Sequence, residues 1–166
     1  MNSRPNVPPA AAAQDRRLLS AAIELSRRSP RGPDRYAVGA IVVDPVGIVL
    51  ATGYTGENDP RHHAEEAALA KLADRRGTVL DSATLYSSLE PCTTRASRPK
   101  TCTELILDAG IRRVVFALRE PLHFADCHGT ELLRQGNVDV LEIDELGRFV
   151  GEINAHILGP APKRPS

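Results

Sequence analysis

The chain has 166 residues, a length that suits one domain, because domains cluster near ~100–150 residues. Hydrophobic residues make up 42% of it and charged residues 25%, which excludes a largely disordered chain, and its net charge of zero provides no overall attraction to nucleic acid or anionic membranes. No stretch approaches the ~20 apolar residues of a membrane span, and residues 1–13 lack the features of a signal peptide, so we expect a cytoplasmic protein.

The predicted elements alternate between helices and strands. An i, i+4 apolar stripe predicts a first helix over residues 14–28. Two β-branched runs, residues 37–43 and 48–54, are joined by a turn sequence and predict a hairpin. Caps, glycine stops and β-branched runs then predict helices over residues 63–75, 103–109, 130–135 and 145–158, and strands over residues 84–87, 114–118 and 138–143.

This order predicts an α/β sandwich on a mixed sheet, whose later strands run parallel through right-handed crossovers and whose opening hairpin leaves one antiparallel edge. We expect one domain over residues 14–158. Disordered tails are expected at residues 1–13 and 159–166, because six of the 13 prolines lie in these outer segments. In such sheets, reactive groups gather at the carboxyl ends of strands and at neighbouring helix N-termini.

The three cysteines are an odd number in a chain without an export signal, which favours metal binding or catalysis over a disulfide framework. His63 opens the second predicted helix, Cys92 follows the third strand, and Cys102 opens the third helix. One imidazole and two thiolates suit Zn²⁺ and leave a fourth position open, as catalytic zinc sites do. The helix dipole gives Cys102 in particular a reason to be ionised. Glu65, two residues beyond His63, is placed to exchange protons with water.

The pattern His63-Ala64-Glu65 followed by Pro91-Cys92 and Cys102 is a zinc-deaminase signature. The chain resembles the cytidine and deoxycytidylate deaminase superfamily over residues 18–143. Nine residues separate the two cysteines where most of the superfamily has two, and this wide spacing resembles the pyrimidine deaminases of riboflavin biosynthesis. Residues 38–43 and 105–115 also resemble that branch. The resemblance implies a three-layer α/β/α sandwich with a five-stranded mixed sheet.

The positions that face the substrate in that branch differ here. The branch usually has an Asn-Pro pair before the first strand, where this sequence has Arg35-Tyr36. It has a His after the second strand, where Thr55 stands, and another soon after the first Cys, where Thr93 and Thr94 stand. We therefore expect the reaction to be retained and the substrate pocket to be altered.

The resemblance implies hydrolytic deamination of an exocyclic amine on a pyrimidine-type heterocycle, with Zn²⁺ held by His63, Cys92 and Cys102. It implies that Glu65 takes a proton from water and delivers protons to the ring nitrogen and the departing ammonia. The backbone N–H groups of Ala64 and Cys92 are implied to hold polar atoms of the substrate. The resemblance also implies a homodimer.

Other residues near the motifs have both a functional and a plain structural interpretation. Arg95, Arg98 and Lys100 lie between the cysteines, either to bind a substrate phosphate or as an exposed basic loop. Asn58 either reaches the pocket or caps a loop. The pair Cys127-His128 either forms a wall of the pocket or contributes a lone buried cysteine.

Several functions remain open at this stage. The substrate is a free base, nucleoside or nucleotide of the riboflavin-pathway or cytidylate type, or alternatively guanine, another purine or an aminopyrimidine of specialised metabolism. A structural zinc-binding module is the non-enzymatic alternative, with Cys127, His62 or His128 as fourth ligand. A nucleic-acid polymer is disfavoured as substrate, because the chain has no Trp, 4% aromatic residues and no net positive charge.

Overall fold

The computed structural model describes residues 8–75, 77–96, 98–121 and 127–160. Its strands are β1 (Gly39–Val43), β2 (Val49–Tyr54), β3 (Thr84–Leu89), β4 (Arg113–Leu118) and β5 (Asp139–Glu142). Its helices are α1 (Pro9–Ser26), α2 (Ala64–Ala73), α3 (Cys102–Asp108), α4 (Gly129–Gln135), α5 (Gly147–Ile153) and α6 (Ala155–Leu158).

The five strands form one mixed sheet in the order β2-β1-β3-β4-β5. Strand β1 is antiparallel to both β2 and β3, whereas β3, β4 and β5 run parallel. Helices α1 and α5 cover one face, and α2, α3 and α4 cover the other. Strand β1 is accordingly buried along its whole length, as strands covered on both faces are, and its sequence is continuously apolar. The predicted α/β/α sandwich with an antiparallel hairpin edge is confirmed.

Two helical predictions differ from the structure. Helix α1 begins at Pro9 instead of residue 14, because proline at the first helical position lacks an N–H that would have no partner there. Residues 9–13, predicted as part of a disordered tail, are therefore helical, while residues 1–7 and 161–166 lie outside the described residues. The predicted terminal helix is divided into a short 3₁₀ turn at Asp144–Leu146, then α5 and α6.

The helix division coincides with a buried anchor. Asn154, between α5 and α6, is completely buried, and its Oδ1 accepts a hydrogen bond from the Ala37 N–H at 2.7 Å. Its Nδ2 donates to the carbonyls of Ala37 at 3.1 Å and of Val150 at 3.0 Å. The side chain thus satisfies both polar groups of a buried residue just before β1, which fixes the segment between Tyr36 and Val38.

A second anchor lies at the amino ends of the parallel strands. The buried Asp15 of α1 accepts two hydrogen bonds from Arg113, at 2.8 and 2.7 Å, and one from the Tyr86 hydroxyl at 2.6 Å. Burial opposes ionisation, but these donors hold the pKa of Asp15 below its usual value. This cluster joins α1 to β3 and β4 at the end of the sheet opposite to their carboxyl ends.

Glycines permit two close approaches at those carboxyl ends. A side chain at Gly53 would clash with the Ala64 carbonyl, and one at Gly129 would clash with the Pro91 carbonyl. The absence of Cβ atoms therefore lets the first turns of α2 and α4 lie against β2 and the segment after β3. Within the described ranges, none of the helices combines the length and apolar character that crossing a membrane requires.

Candidate active site

Three predicted metal ligands meet where the segment after β3 passes the N-termini of α2 and α3. The ligand atoms of His63, Cys92 and Cys102 all lie within 4.8 Å of one another. The Nδ1 atom of His63 is 3.5 Å from the sulfur of Cys92 and 3.4 Å from that of Cys102. One imidazole and two sulfurs at these separations form a donor set that suits Zn²⁺.

The proposed alternatives for a fourth ligand are not part of this group. Among the residues that the structure describes, the cluster contains one His and two Cys and no further His, Cys, Asp or Glu. The Cys127 thiol donates instead to the Pro91 carbonyl at 3.4 Å. The described donor set is therefore that of an open site.

The two thiols share a proton unequally. The Cys102 thiol and the Cys102 backbone N–H both donate to the sulfur of Cys92, and with His63 they lower the pKa of Cys92 to about 4. The same hydrogen bond, followed by complete burial, raises the pKa of Cys102. In the metal-free protein the proton therefore stays on Cys102, because the first N–H group of α3, which the sequence-based argument assigned to the Cys102 sulfur, points to Cys92. A divalent cation would favour both thiolates.

Glu65 lies in the first turn of α2 and is only 3% exposed. Its Oε1 accepts a hydrogen bond from the Ser87 hydroxyl at 2.8 Å, which orients the carboxyl group beside β3. Burial, and next the charge of Cys92, raise its pKa. A carboxyl group with a raised pKa can both accept and release a proton near neutral pH.

A cavity of about 590 Å³ opens beside these groups. Carboxyl groups, basic side chains and one aromatic ring all line it. These residues include Glu65, Glu90, Glu120, Arg35, Arg61, Arg95 and Tyr36. A cavity lined by both carboxylates and basic side chains suits a ligand that has N–H donors for the carboxylates and an anionic group for the basic side chains.

The predicted basic cluster between the cysteines is largely bound to other protein groups. Arg95 lines the cavity, but its side chain is 2% exposed and donates to Glu66 at 2.7 Å and to the Arg61 carbonyl. Arg98 pairs with Asp59 at 2.8 Å, and Lys100 pairs with Asp108 on the surface. Of the three predicted phosphate ligands, the structure brings only Arg95 to the cavity.

Glu66 connects the loop between the cysteines to the start of α2. Besides the Arg95 pair, its Oε2 accepts a 3.4 Å hydrogen bond from the backbone N–H of His63. Burial opposes ionisation, but Arg95 lowers the pKa of Glu66 overall. The ion pair thereby holds the loop that carries the cysteines against the residue that carries the imidazole.

Two further predicted substrate residues do not line the cavity. Asn58 is exposed, whereas Ala64 is buried at the first position of α2. Of the threonines at the divergent positions, Thr55 and Thr94 do line the cavity. Thr55 Oγ1 accepts from the Val38 N–H at 3.1 Å, and Thr93 Oγ1 accepts from the His128 N–H at 3.2 Å.

Sequence reasoning missed two acidic groups of the cavity wall. Glu90 is 2% exposed and accepts from the Thr130 N–H at 3.0 Å, the Thr130 hydroxyl at 2.8 Å and the Glu120 N–H at 3.3 Å. Glu120 follows β4 and lines the cavity. The available signal was its position two residues after a parallel strand, at the sheet edge where functional groups gather.

A family described as the cytidine and deoxycytidylate deaminase zinc-binding region matches residues 12–118. The diaminohydroxyphosphoribosylamino-pyrimidine deaminase of Schizosaccharomyces pombe is 35% identical over 126 residues, which are 75% of this chain and 31% of that protein. The riboflavin biosynthesis protein RibD of Aquifex aeolicus is 34% identical over 127 residues, covering 76% of this chain and 34% of that protein. The chain thus spans about a third of the length of these curated relatives.

Solved structures agree with this similarity. The diaminohydroxyphosphoribosylaminopyrimidine deaminase/5-amino-6-(5-phosphoribosylamino)uracil reductase of Thermotoga maritima matches with a TM-score of 0.75 and 31% identity, over 87% of this chain and 40% of that one. The dCMP deaminase of cyanophage S-TIM5, in complex with dCMP and dUMP, matches with a TM-score of 0.62 and 25% identity, over 83% of this chain and 100% of that one.

Proposed function

This chain belongs to the cytidine and deoxycytidylate deaminase family, and from that premise we propose that it is a zinc-dependent hydrolase that deaminates a pyrimidine-type heterocycle. The reaction replaces an exocyclic amine by a carbonyl group and releases ammonia. One observation carries the proposal: Glu65 is buried in the wall of the cavity that His63 and Cys92 also line, two residues along the chain from a ligand of the metal group.

The three ligands fit the zinc that the family binds, and each comes from a different part of the sheet edge. When bound there, zinc lowers the pKa of a coordinated water molecule towards about 7. His63 contributes a neutral donor and the two cysteines contribute two negative charges, so the protein ligands balance the charge of the ion.

Glu65 is the group of this chain that moves protons. Its carboxylate accepts a proton as water attacks the ring carbon that bears the amine, and it delivers that proton to the adjacent ring nitrogen. It then carries the second proton to the departing amine, which leaves as ammonia. The raised pKa of Glu65 and its hydrogen bond from Ser87 support this role, because the carboxyl group is held in place in both protonation states.

The names of the relatives support a pyrimidine with amino substituents, of the riboflavin-pathway or cytidylate type. Arg35 and Arg61 line the cavity in addition to Arg95, which supports a substrate that carries a phosphate group. We retain Ala64 and Cys92 as sources of backbone N–H groups for the substrate. For Arg98 and Lys100, the described ion pairs favour structural roles, whereas Asn58 is exposed and is not part of the cavity lining.

Ammonia release by the zinc-loaded protein tests the proposal. The panel contains diaminohydroxyphosphoribosylaminopyrimidine, dCMP, their dephosphorylated forms and guanine. We expect turnover of at least one pyrimidine, faster for the phosphorylated form. Equal turnover with and without the phosphate contradicts the phosphate assignment, and no turnover of any compound contradicts the enzyme proposal.

Two substitutions separate catalysis from metal binding. Glu65→Ala should keep stoichiometric zinc and lose turnover by at least about 10²-fold, because it removes the acid and base. Cys102→Ala should lose zinc as well, since it removes a ligand. Unchanged turnover of Glu65→Ala removes Glu65 from the mechanism. We further propose a cytoplasmic location and a homodimer, which fractionation and sedimentation velocity test.

A further inference from the structure

Glu120 lies in the cavity wall without a role in the steps above. Its backbone N–H donates to Glu90 Oε2 at 3.3 Å, which fixes the chain after β4 beside the residues that lead to Cys92. The preceding side chain, Arg119, bonds instead to Glu131 at 3.2 Å and to Glu142 at 3.3 Å. The adjacent cation is thus occupied elsewhere.

Four carboxyl groups line the cavity, and they differ in what they already bind. Asp34 is largely exposed to solvent and pairs with Arg35 at 3.4 Å. Glu90 accepts three hydrogen bonds from the protein, and Glu65 accepts one from Ser87. The described hydrogen-bond partner of the Glu120 side chain is the thiol of Cys127, a weak donor whose single proton is shared with the Pro91 carbonyl. In the part of the chain that the structure describes, Glu120 forms no ion pair with Lys, Arg or His. Among the contacts of the described residues, Glu120 is therefore the buried or half-buried carboxyl group of the cavity with the most acceptor capacity left for a ligand.

The surroundings of Glu120 favour a ligand that donates hydrogen bonds. Burial, and next the charges of Cys92 and Glu65, raise its pKa to about 7. Tyr36 lies on the segment before β1. Burial, and next the negative charge of Glu120, raise the pKa of its phenol to about 12. A half-buried carboxylate surrounded by other acids is unfavourable unless a partner supplies N–H groups or a positive charge.

We infer that Glu120 is a specificity-determining residue, which accepts hydrogen bonds from N–H groups of the substrate other than those of the reacting amine. A carboxylate presents two acceptor oxygens and pairs with an edge that offers an amino group and a neighbouring N–H. It repels an edge that offers only a carbonyl oxygen. The cavity would then select a heterocycle with at least two nitrogen substituents over a cytosine-type ring. This inference rests on the proposed function and names the substrate class for it.

Equilibrium binding tests the inference without requiring turnover. The parent is the zinc-loaded Glu65→Gln protein, to which Glu120→Gln is added, and the probes are diaminohydroxyphosphoribosylaminopyrimidine and dCMP. Calorimetry should show that the added substitution weakens binding of the diamino compound by at least about tenfold, because one charged hydrogen bond is lost. Binding of dCMP should stay the same or become tighter, because the neutral amide of Gln does not repel a carbonyl edge. Glu131→Gln, an exposed acid that pairs with Arg119, is the matched control and should change neither dissociation constant.

The outcomes distinguish this inference from the proposed function. Unchanged binding of the diamino compound, equal weakening for both probes, or no binding of either by the parent overturns the assignment of Glu120. Selective weakening supports it, even if the zinc-loaded wild-type protein releases no ammonia. In that last case the proposed reaction is wrong, while Glu120 remains the residue that selects the ligand.

Discussion

The ion pair between Arg95 and Glu66 should stabilise both the fold and the metal site. Arg95→Met keeps most of the side-chain volume but removes the charge from a group that is 2% exposed, beside a Glu66 side chain that is 18% exposed. Breaking a buried pair by removing one partner costs about 3–5 kcal/mol. The lower value, about 3 kcal/mol, applies here, because Glu66 keeps some solvent contact. In addition, Arg98 Nε lies 3.5 Å from Glu66 Oε1 and remains as a second cation beside the carboxylate. This loss corresponds to a fall in Tm of about 6–12 °C.

The metal should respond as well, because the pair joins the cysteine loop to the backbone of His63. We expect Arg95→Met to release zinc to a chromophoric chelator about tenfold faster than wild type. Lys100→Met is the matched control, because Lys100 lies in the same loop but its side chain is 58% exposed and pairs with Asp108 on the surface, where an ion pair contributes little to stability. In a double-mutant cycle with Glu66→Gln, the coupling energy should exceed about 1 kcal/mol. A stability of Arg95→Met within about 0.5 kcal/mol of wild type, with unchanged zinc release, refutes this account.

Two further predictions follow from buried polar groups. The pKa of Glu120, about 7 in the folded protein against 4.5 as its usual value, means that the folded state holds this proton between those pH values while the unfolded state has lost it. The free energy of unfolding therefore falls as the pH rises through that window. In urea titrations, Glu120→Gln should be more stable than wild type at pH 8 and no more stable at pH 4. An equal gain in stability at both pH values contradicts the assigned pKa. Asn154→Ala should lower the free energy of unfolding by about 3 kcal/mol, because it leaves the buried N–H and carbonyl of Ala37 without partners, and a loss below about 1 kcal/mol would show that water replaces the side chain.

The sequence was sufficient to predict the group of metal ligands, because each ligand lies next to a helix start or a strand end that the local sequence marks clearly. His63 and Cys102 stand at helix starts that caps mark, and Cys92 follows a strand that β-branched and apolar residues mark. Parallel strands that end at one edge of the sheet then bring the three side chains together. The β-branched runs predicted all five strands to within two residues at each end. The start of α1 was placed too late, because a proline that permits a helix start was interpreted as one that prevents it.

The cavity wall could not be predicted in the same way, because its side chains are assigned by contacts between segments far apart in the sequence. Arg95, Arg98 and Lys100 look equivalent in the sequence, but Glu66, Asp59 and Asp108 bind them in three different places. No local pattern specifies which cation meets which carboxylate. Glu90 directly follows β3, and Glu120 lies two residues after the end of β4. The donors around Glu90 distinguish this structural acid from Glu120, for which the described contacts leave more acceptor capacity.

This difference has a consequence for how substrate choice can change within the fold. The metal ligands and Glu65 are fixed by helix starts and by the sheet, whereas most other groups of the cavity wall lie on segments before β1 and after β2, β3 and β4. A substitution such as Glu120→Gln alters one acceptor in the wall and leaves the three ligands, Ser87 and Glu65 in place. Selectivity between similar amines depends on contacts worth only about 1–3 kcal/mol each. On the proposed mechanism, one wall residue should therefore be enough to change which heterocycle is preferred, without altering the proton transfers that we assign to Glu65.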